Sequence, residues 1–165
     1  MLKIVSNSSP LIHLGKINRL ELLKEQFQVI TIPEMVHKEC IVEGRGSEEA
    51  KLIKEADWIK VLKAKNRRLV TLLQADLDAG ESEGIVLALE MEADLILLDD
   101  ADAREKARHL GLKITGTLGV ILKEKLRGNL HSLKETLMDL KETGFRISKS
   151  LETRLLIEAG EATNK

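Results

Sequence analysis

The sequence predicts an α/β fold in which helices pack on a central parallel sheet. Two observations support this prediction. Short apolar runs alternate with segments of helical spacing along the chain, and residues 95–98 are apolar at every position, as in a central strand buried on both faces. With 165 residues, 43% of them hydrophobic and 32% charged, the chain has the size of one domain and enough apolar side chains for a core. This composition excludes a disordered chain.

The first half of the chain is predicted to contain three strands, each followed by helical segments. Leucine and isoleucine recur about every three residues after Pro10, which is the spacing of one buried helix face. Pro33 suits the first position of a helix, where its missing N–H would have no partner, and Ser47 suits an N-cap. The predicted elements are a strand at 2–6, a helix at 10–26, a strand at 27–32, helices at 33–42 and 47–56, a strand at 58–62 and a weaker helix at 66–75.

The second half has clearer patterns. Gly80 begins a helix whose apolar run predicts burial on most sides, and Asp99 or Asp100 caps a helix that Gly111 closes. The predicted elements are this helix from 80, a strand at 95–98, the capped helix, a brief strand at 113–115, and helices at 117–127, 130–142 and 148–159. Residues 1–160 are thus expected to form a single domain, in which 130–160 complete the core or form a dimer seam. Residues 161–165 are expected to be a tail.

Composition excludes several classes of protein. The longest nonpolar stretch, residues 84–89, is far shorter than the roughly 20 residues of a membrane span, and we expect no secretory signal at the N-terminus. The single cysteine, Cys40, cannot form an internal disulfide, which favours a reducing cytoplasm. The three aromatic residues, Phe27, Trp58 and Phe145, argue against a module that stacks bases on aromatic platforms.

Charge is distributed unevenly along the chain. Residues 76–105 carry eleven acids and one base, a charge of −10, whereas the remainder carries 16 acids and 25 bases, a charge of +9. An acidic segment in a basic remainder favours a cation site in surroundings that tolerate phosphates. The alternative is that acids and bases merely alternate across solvated helix faces.

Polar side chains follow two of the predicted strands. In open parallel sheets, a site forms outside the carboxyl ends of the strands, at the point where the strand order reverses. If the first strand and the strand at 95–98 are neighbours, the side chains after them face one crevice, together with acids in the first turns of one helix and about two turns into another. The side chains concerned are Asn7, Ser8 and Ser9 after the first strand, Asp99, Asp100 and Asp102 after the other, and Glu39, Glu81 and Glu83 on helices.

Clustered carboxylates favour a hard divalent cation. At about 4 Å, each pair of like charges costs about 4 kcal/mol at an effective dielectric of 20, and a bound cation relieves that cost. Oxygen ligands favour Mg²⁺ or Mn²⁺, and the four histidines lack the spacing of a zinc site. Structural roles remain open for the same residues, because aspartates cap helices and Asn7 and Ser9 shape a turn before Pro10.

Five segments in this order resemble the PIN-domain family, which includes the VapC-type toxin ribonucleases: IVSNSSPLI, IPEMVHKEC, GESEGIVLALE, LILLDDADAR and LGLKITGTLGVIL. The likeness spans residues 3–122 and is closest to a prokaryotic PIN-like subgroup. The resemblance implies a three-layer α/β/α sandwich with a central parallel sheet. It also implies an acidic cluster that binds Mg²⁺ or Mn²⁺ and hydrolyses RNA phosphodiesters.

The resemblance also implies roles for individual residues. The metal ligands would be Asn7, Glu39, Glu83 with Glu81 as a close competitor, and Asp99 or Asp100 with Asp102 as a weaker candidate. Of these, Glu39, Glu83, Asp99 and Asp100 would be catalytic, and Ser9 would contact the substrate. The chain departs from the family at Asn7, where an aspartate is usual. A neutral amide oxygen in place of a carboxylate should weaken metal affinity.

Two functions remain open at this point. The first is a metal-dependent endoribonuclease, which could be the toxin of a toxin–antitoxin pair with a small antitoxin covering its crevice. Seven bases between residues 51 and 68 could follow an RNA backbone or could line a solvated helix. The second is a catalytically impaired PIN-like protein that binds RNA or a protein partner, which Asn7 favours. Family likeness also implies a homodimer.

Overall fold

The five predicted strands pair into one parallel sheet. The computed structural model describes residues 1–163, and its strands follow the order β3-β2-β1-β4-β5 across the sheet. The strands are β1 (Ile4–Ser6), β2 (Ile30–Pro33), β3 (Ile59–Leu62), β4 (Leu95–Leu97) and β5 (Ile114–Thr115). The α/β class with a central parallel sheet is therefore confirmed.

The strand order reverses at the centre of this sheet. The chain builds outward from β1 to β3, then crosses back and adds β4 and β5 on the other side of β1. Val5 in β1 lies opposite Ile96 in β4 and Thr31 in β2. The Asn7 N–H donates to the Leu97 carbonyl at 3.0 Å and continues the pairing beyond β1. The carboxyl ends of β1 and β4 therefore lie side by side at the switch point, where open α/β sheets bind ligands.

Helices connect the strands and cover both faces of the sheet. A π-helical segment, Lys38–Glu43, follows the third helix. The α-helices are α1 (Ser8–Lys16), α2 (Glu21–Phe27), α3 (Glu34–His37), α4 (Glu48–Glu55), α5 (Arg67–Leu73), α6 (Ala79–Met91), α7 (Ala101–His109), α8 (Thr117–Leu126), α9 (Leu133–Glu142) and α10 (Lys149–Glu158).

Two hydrophobic cores lie on the two faces of the sheet. Successive strand side chains point to opposite faces. Ile4 and Leu97 accordingly join the core under α1, α2, α4 and α8–α10, whereas Val5 and Ile96 join the core under α5–α7. Burying apolar side chains on both faces contributes about 25 cal/mol per Å². The layers thus form the α/β/α sandwich that the resemblance implied.

Three local predictions are corrected. The predicted helix at 10–26 is two helices, because Asn18 takes a left-handed conformation (φ 58°) that ends the first of them. The predicted strand at 27–32 begins only at Ile30, since Phe27 still belongs to α2. Pro33 ends β2 and precedes α3 as its N-cap residue, so it is not the first residue of that helix.

The first residue of the predicted C-terminal tail is anchored to the start of α9 by hydrogen bonds. Glu161, at the start of the predicted tail, accepts hydrogen bonds from the N–H groups of Leu133 (2.6 Å) and Lys134 (3.1 Å) at the start of α9. The Lys125 ammonium lies 3.4 Å from the same carboxylate. Burial alone would raise the pKa of Glu161, but these hydrogen bonds outweigh it and lower the pKa below its ordinary value. Residues 164–165 of the predicted tail lie outside the described residues.

We expect Glu161→Gln to lower the free energy of unfolding by about 1–2 kcal/mol, because a neutral side chain caps α9 less well and loses Lys125. Because the folded pKa is lowered, the stabilisation is present above the unfolded pKa and is lost as the pH falls through the folded value. Urea unfolding near neutral pH and in acid measures both effects. Glu158→Gln, at an exposed position of α10, is the matched control. Equal stability of the two variants near neutral pH would contradict the capping role.

Candidate functional site

Asn7 lies at the switch point with an unsatisfied oxygen. It directly follows β1, and its side chain is buried, with 6% of the residue exposed. Among residues 1–163, no group donates a hydrogen bond to its Oδ1 atom. A buried acceptor without a partner costs about 1–3 kcal/mol, so such an atom points to a bound water or cation.

Glu39 approaches the same place from the π-helical segment. The Ser8 hydroxyl, next to Asn7 in the chain, donates to Glu39 Oε2 at 3.0 Å. The other oxygen lies against the start of α6, so closely that a Cβ atom on Gly80 would collide with it. Burial raises the pKa of Glu39; the hydrogen bond from Ser8 opposes this, and the nearby acids Asp78, Glu43 and Glu83 add to it.

Glu81 and Asp78 form the N-terminal cap of α6. The Asp78 Oδ1 atom accepts from the Glu81 N–H at 2.7 Å, and Glu81 Oε1 accepts from the Asp78 N–H at 3.1 Å. Burial raises the pKa of Glu81 to about 7, and the neighbouring charges of Asp78, Asp100 and Glu39 contribute to the rise. These four acids, Glu39, Asp78, Glu81 and Asp100, therefore share one electrostatic environment. We call them the acidic cluster.

Asp99 and Asp100 face different parts of the molecule. Asp100 caps α7, with Oδ2 accepting from the Ala103 N–H at 3.0 Å. Asp99 instead caps α8: Oδ1 accepts from the Thr117 N–H, and Oδ2 accepts from the hydroxyls of Thr117 and Ser9, each at 2.7 Å. Both oxygens of Asp99 are thus engaged with protein donors. Asp102 is exposed and lines a separate groove with Asp76 and His109.

Glu83 is paired with a cation. Its Oε2 atom accepts from Arg67 Nη2 at 3.0 Å, and its Oε1 atom accepts from the Met35 N–H at 3.0 Å. The carboxylate is nearly buried, with 7% of the side chain exposed, whereas Arg67 is 53% exposed. Within residues 1–163, Glu83 therefore has a cationic partner and Glu81 has none, which distinguishes the two acids that the sequence left as competitors.

Two residues of this region were missed by the sequence reasoning. Asp78 was not a candidate, although the pattern Asp78-x-x-Glu81 is the signature of a capping box. Arg67 was noted only as one of seven bases. No sequence signal indicated its pairing with Glu83, because 16 residues separate them along the chain.

The donor set fits a hard divalent cation. All candidate ligands are oxygens, the Asn7 amide oxygen lacks a partner, and the like charges around Glu81 favour a counter-charge. Among residues 1–163, no three Asp, Glu, His or Cys side chains converge closely enough to form a ready coordination sphere. Mg²⁺ binds through one or two carboxylates and keeps several water ligands, so the donor set suits it and the similar Mn²⁺.

The raised pKa of Glu81 predicts a pH-dependent stability of the metal-free protein. The folded pKa of about 7 exceeds the ordinary value of 4.5, so the folded state holds this proton more tightly. The resulting stabilisation is complete below pH 4.5 and is lost as the pH rises through about 7. Glu81→Gln removes this titration, so we expect the variant to gain stability relative to wild type between about pH 5 and pH 8. Urea unfolding in EDTA measures the difference in stability between the variant and wild type at each pH. A difference that does not change with pH would contradict the raised pKa of Glu81.

A family model described as a PIN domain matches residues 3–161, which is nearly the whole chain. A search of curated proteins finds no match to this sequence. Across residues 1–163, no helix combines the length and apolar character needed to cross a bilayer.

Proposed function

The chain belongs to the PIN-domain family, and from this premise we propose that it is an endoribonuclease that requires Mg²⁺ or Mn²⁺. Membership in this family supports a nuclease-type function and the use of divalent metal ions. The observation that carries the finer proposal is the buried Asn7 amide oxygen, which lacks a partner at the switch point and is linked through Ser8 to the acidic cluster. An all-oxygen site of this kind suits a cation that binds a phosphodiester.

In this proposal Asn7, Glu39 and Asp100 hold the cation, and Glu81 lies beside it. Each has at least one side-chain oxygen that accepts no hydrogen bond from residues 1–163. A bound divalent cation supplies charge stabilisation at the phosphate and makes a water more acidic. The proposal gives Glu83 and Asp99 supporting roles, because the oxygens of both are engaged by protein donors. Ser9 then positions Asp99 through its hydroxyl.

Glu81 is the best candidate to move a proton. Burial raises its pKa to about 7 in the metal-free protein, and a cation held by the neighbouring acids would keep the carboxylate ionised and able to accept a proton. Its Oε2 atom is free of the capping box and can accept the proton of an attacking water. As the water oxygen bonds to phosphorus, the bond to the leaving oxygen breaks, and that oxygen takes a proton from solvent. The capping box holds Glu81 in place during this transfer.

A second function is favoured by the residue at position 7. A neutral amide in place of a carboxylate lowers the charge of the site, and a PIN-like protein that only binds RNA or a protein would tolerate this change. A homodimer and a small antitoxin-like protein covering the crevice are further proposals from the family likeness. Size-exclusion chromatography with light scattering tests the dimer.

Titration calorimetry with Mn²⁺, followed by incubation with mixed RNA, tests the proposed function. We expect Mn²⁺ to bind at submillimolar concentration and to support cleavage that EDTA stops. No binding at millimolar Mn²⁺ would overturn the nuclease proposal and favour the binding module. Binding without cleavage of any RNA would also count against the nuclease.

A further inference from the structure

Cationic pockets lie on both sides of the acidic cluster. The carboxyl edge of the sheet runs from β3 through β2, β1 and β4 to β5. The acidic cluster and Asn7 lie at its centre, beside β1 and β4. One pocket, which we call the Lys38 pocket, lies on the β3 and β2 side, and a second, the Arg146 pocket, lies on the β4 and β5 side. The edge therefore presents positive, negative and positive charge in that order.

The Lys38 pocket has a volume of about 480 Å³ and includes Lys38, Lys63 and Arg67. Lys63 directly follows β3, and Lys38 begins the π-helical segment after α3. Arg67 forms a salt bridge with Glu83. Within residues 1–163, neither lysine ammonium lies within 4 Å of a carboxylate. Glu34 is the other acid of this pocket. Two exposed ammonium groups are thus available to an anion.

The Arg146 pocket has a volume of about 390 Å³ and lies beyond Asp99. Arg104 donates through Nη1 to the Leu98 carbonyl at 2.9 Å, which leaves its remaining N–H groups without an acceptor among residues 1–163. Arg146 is exposed and, in the same part of the chain, has no carboxylate within 4 Å. Leu118 and Phe145 form an apolar wall. This pocket offers guanidinium donors beside a surface on which a ribose or base can pack.

We propose that single-stranded RNA crosses the acidic cluster along this edge, with its phosphates bound by Lys38 and Lys63 on one side and by Arg104 and Arg146 on the other. The inference rests on the proposed function and names how its substrate is held. Four strand spacings of about 4.8 Å make the edge about 19 Å long, enough for several nucleotides. The phosphates flanking the reacting one then meet cations, while the reacting phosphate lies at the acidic cluster, where a metal ion offsets the repulsion.

Fluorescence anisotropy with a labelled single-stranded RNA tests this path, with Ca²⁺ in place of Mn²⁺ so that the acidic cluster keeps a divalent counter-charge, and with readings taken before any cleavage occurs. Each phosphate contact lowers log K by about 0.7 per decade of salt on a single strand. We expect Lys38→Glu/Lys63→Glu to reduce this salt slope by about 1.4 and to raise Kd by about tenfold or more at moderate salt. Arg146→Glu should reduce the slope by about 0.7. Melting temperatures verify that the variants fold, and all three positions are exposed.

Lys51→Glu/Lys54→Glu is the matched control, since it makes the same change of charge on α4 at residues that line neither pocket. We expect its Kd to stay within about threefold of wild type. The path is overturned if this control weakens binding as much as the Lys38 pocket variant, or if the pocket variants bind like wild type. RNA binding that depends on the path, without Mn²⁺-dependent cleavage, would sustain the path and overturn the nuclease. If the pocket variants cleave RNA at the wild-type rate, the nuclease proposal is sustained and the path is overturned.

Discussion

Replacing Glu81 by glutamine is expected to lower kcat/KM for metal-dependent RNA cleavage by at least about 100-fold, the order of loss when one electrostatic contact to a transition state is removed. Glutamine keeps an oxygen that can accept the Asp78 N–H, so the capping box and α6 survive. What it loses is the negative charge toward the cation and the basic oxygen that takes the proton. Asp100→Asn likewise removes a negative charge beside the cation, so we expect the same loss of activity. Asparagine can still cap α7, so this variant should fold.

Asp102→Asn is the control for both changes, because Asp102 is exposed in the first turn of α7 and lies outside the acidic cluster. We expect it to cleave RNA at the wild-type rate. Initial rates with Mn²⁺ on a labelled RNA, with circular dichroism to verify folding, provide the measurement. Wild-type rates for both Glu81→Gln and Asp100→Asn would contradict the proposed site.

Replacing Asn7 by aspartate is expected to raise Mn²⁺ affinity by about tenfold or more, since ligand charge count tunes the affinity of oxygen sites. A unit charge pair at about 4 Å contributes about 4 kcal/mol at an effective dielectric of 20, of which desolvation of the new carboxylate removes part. Without metal, the same change brings another negative charge to a buried position near Glu39. We therefore expect the metal-free variant to melt at a lower temperature than wild type and Mn²⁺ to restore its stability.

Asn18→Asp is the matched control for this experiment. Asn18 is exposed, and aspartate tolerates its left-handed conformation. Calorimetry with Mn²⁺ and thermal melting with and without the metal compare the two variants. Unchanged or weaker Mn²⁺ binding in Asn7→Asp would mean that position 7 does not contact the cation.

The architecture was predictable because burial leaves a pattern in the chain. A strand covered on both faces must be apolar at every position, as residues 95–98 are, and the alternation of strands with helices permits little besides a parallel sheet. The break between α1 and α2 was not predictable from spacing, because both helices bury leucines in the same core. The periodic signal therefore continues across Asn18, where only the backbone turns.

The candidate site was predictable as a set of residues and not as a geometry. Strand ends and helix starts identified the acids, since parallel strands bring their carboxyl ends to one edge. Residues two positions apart on a helix point about 200° apart, so Glu81 can face the acidic cluster while Glu83 faces Arg67. Which of the two faces the cluster depends on how α6 is rotated on the sheet.

The sequence by itself determined the α/β class, the five strands and the group of polar residues at the central strand ends, because hydrophobic period and turn chemistry are local properties. Only the tertiary structure decided that Asp99 binds Thr117 while Asp100 joins the acidic cluster, and that Arg67 neutralises Glu83. These pairings join residues distant in the chain. They depend on the packing of helices against the sheet, which no local pattern encodes.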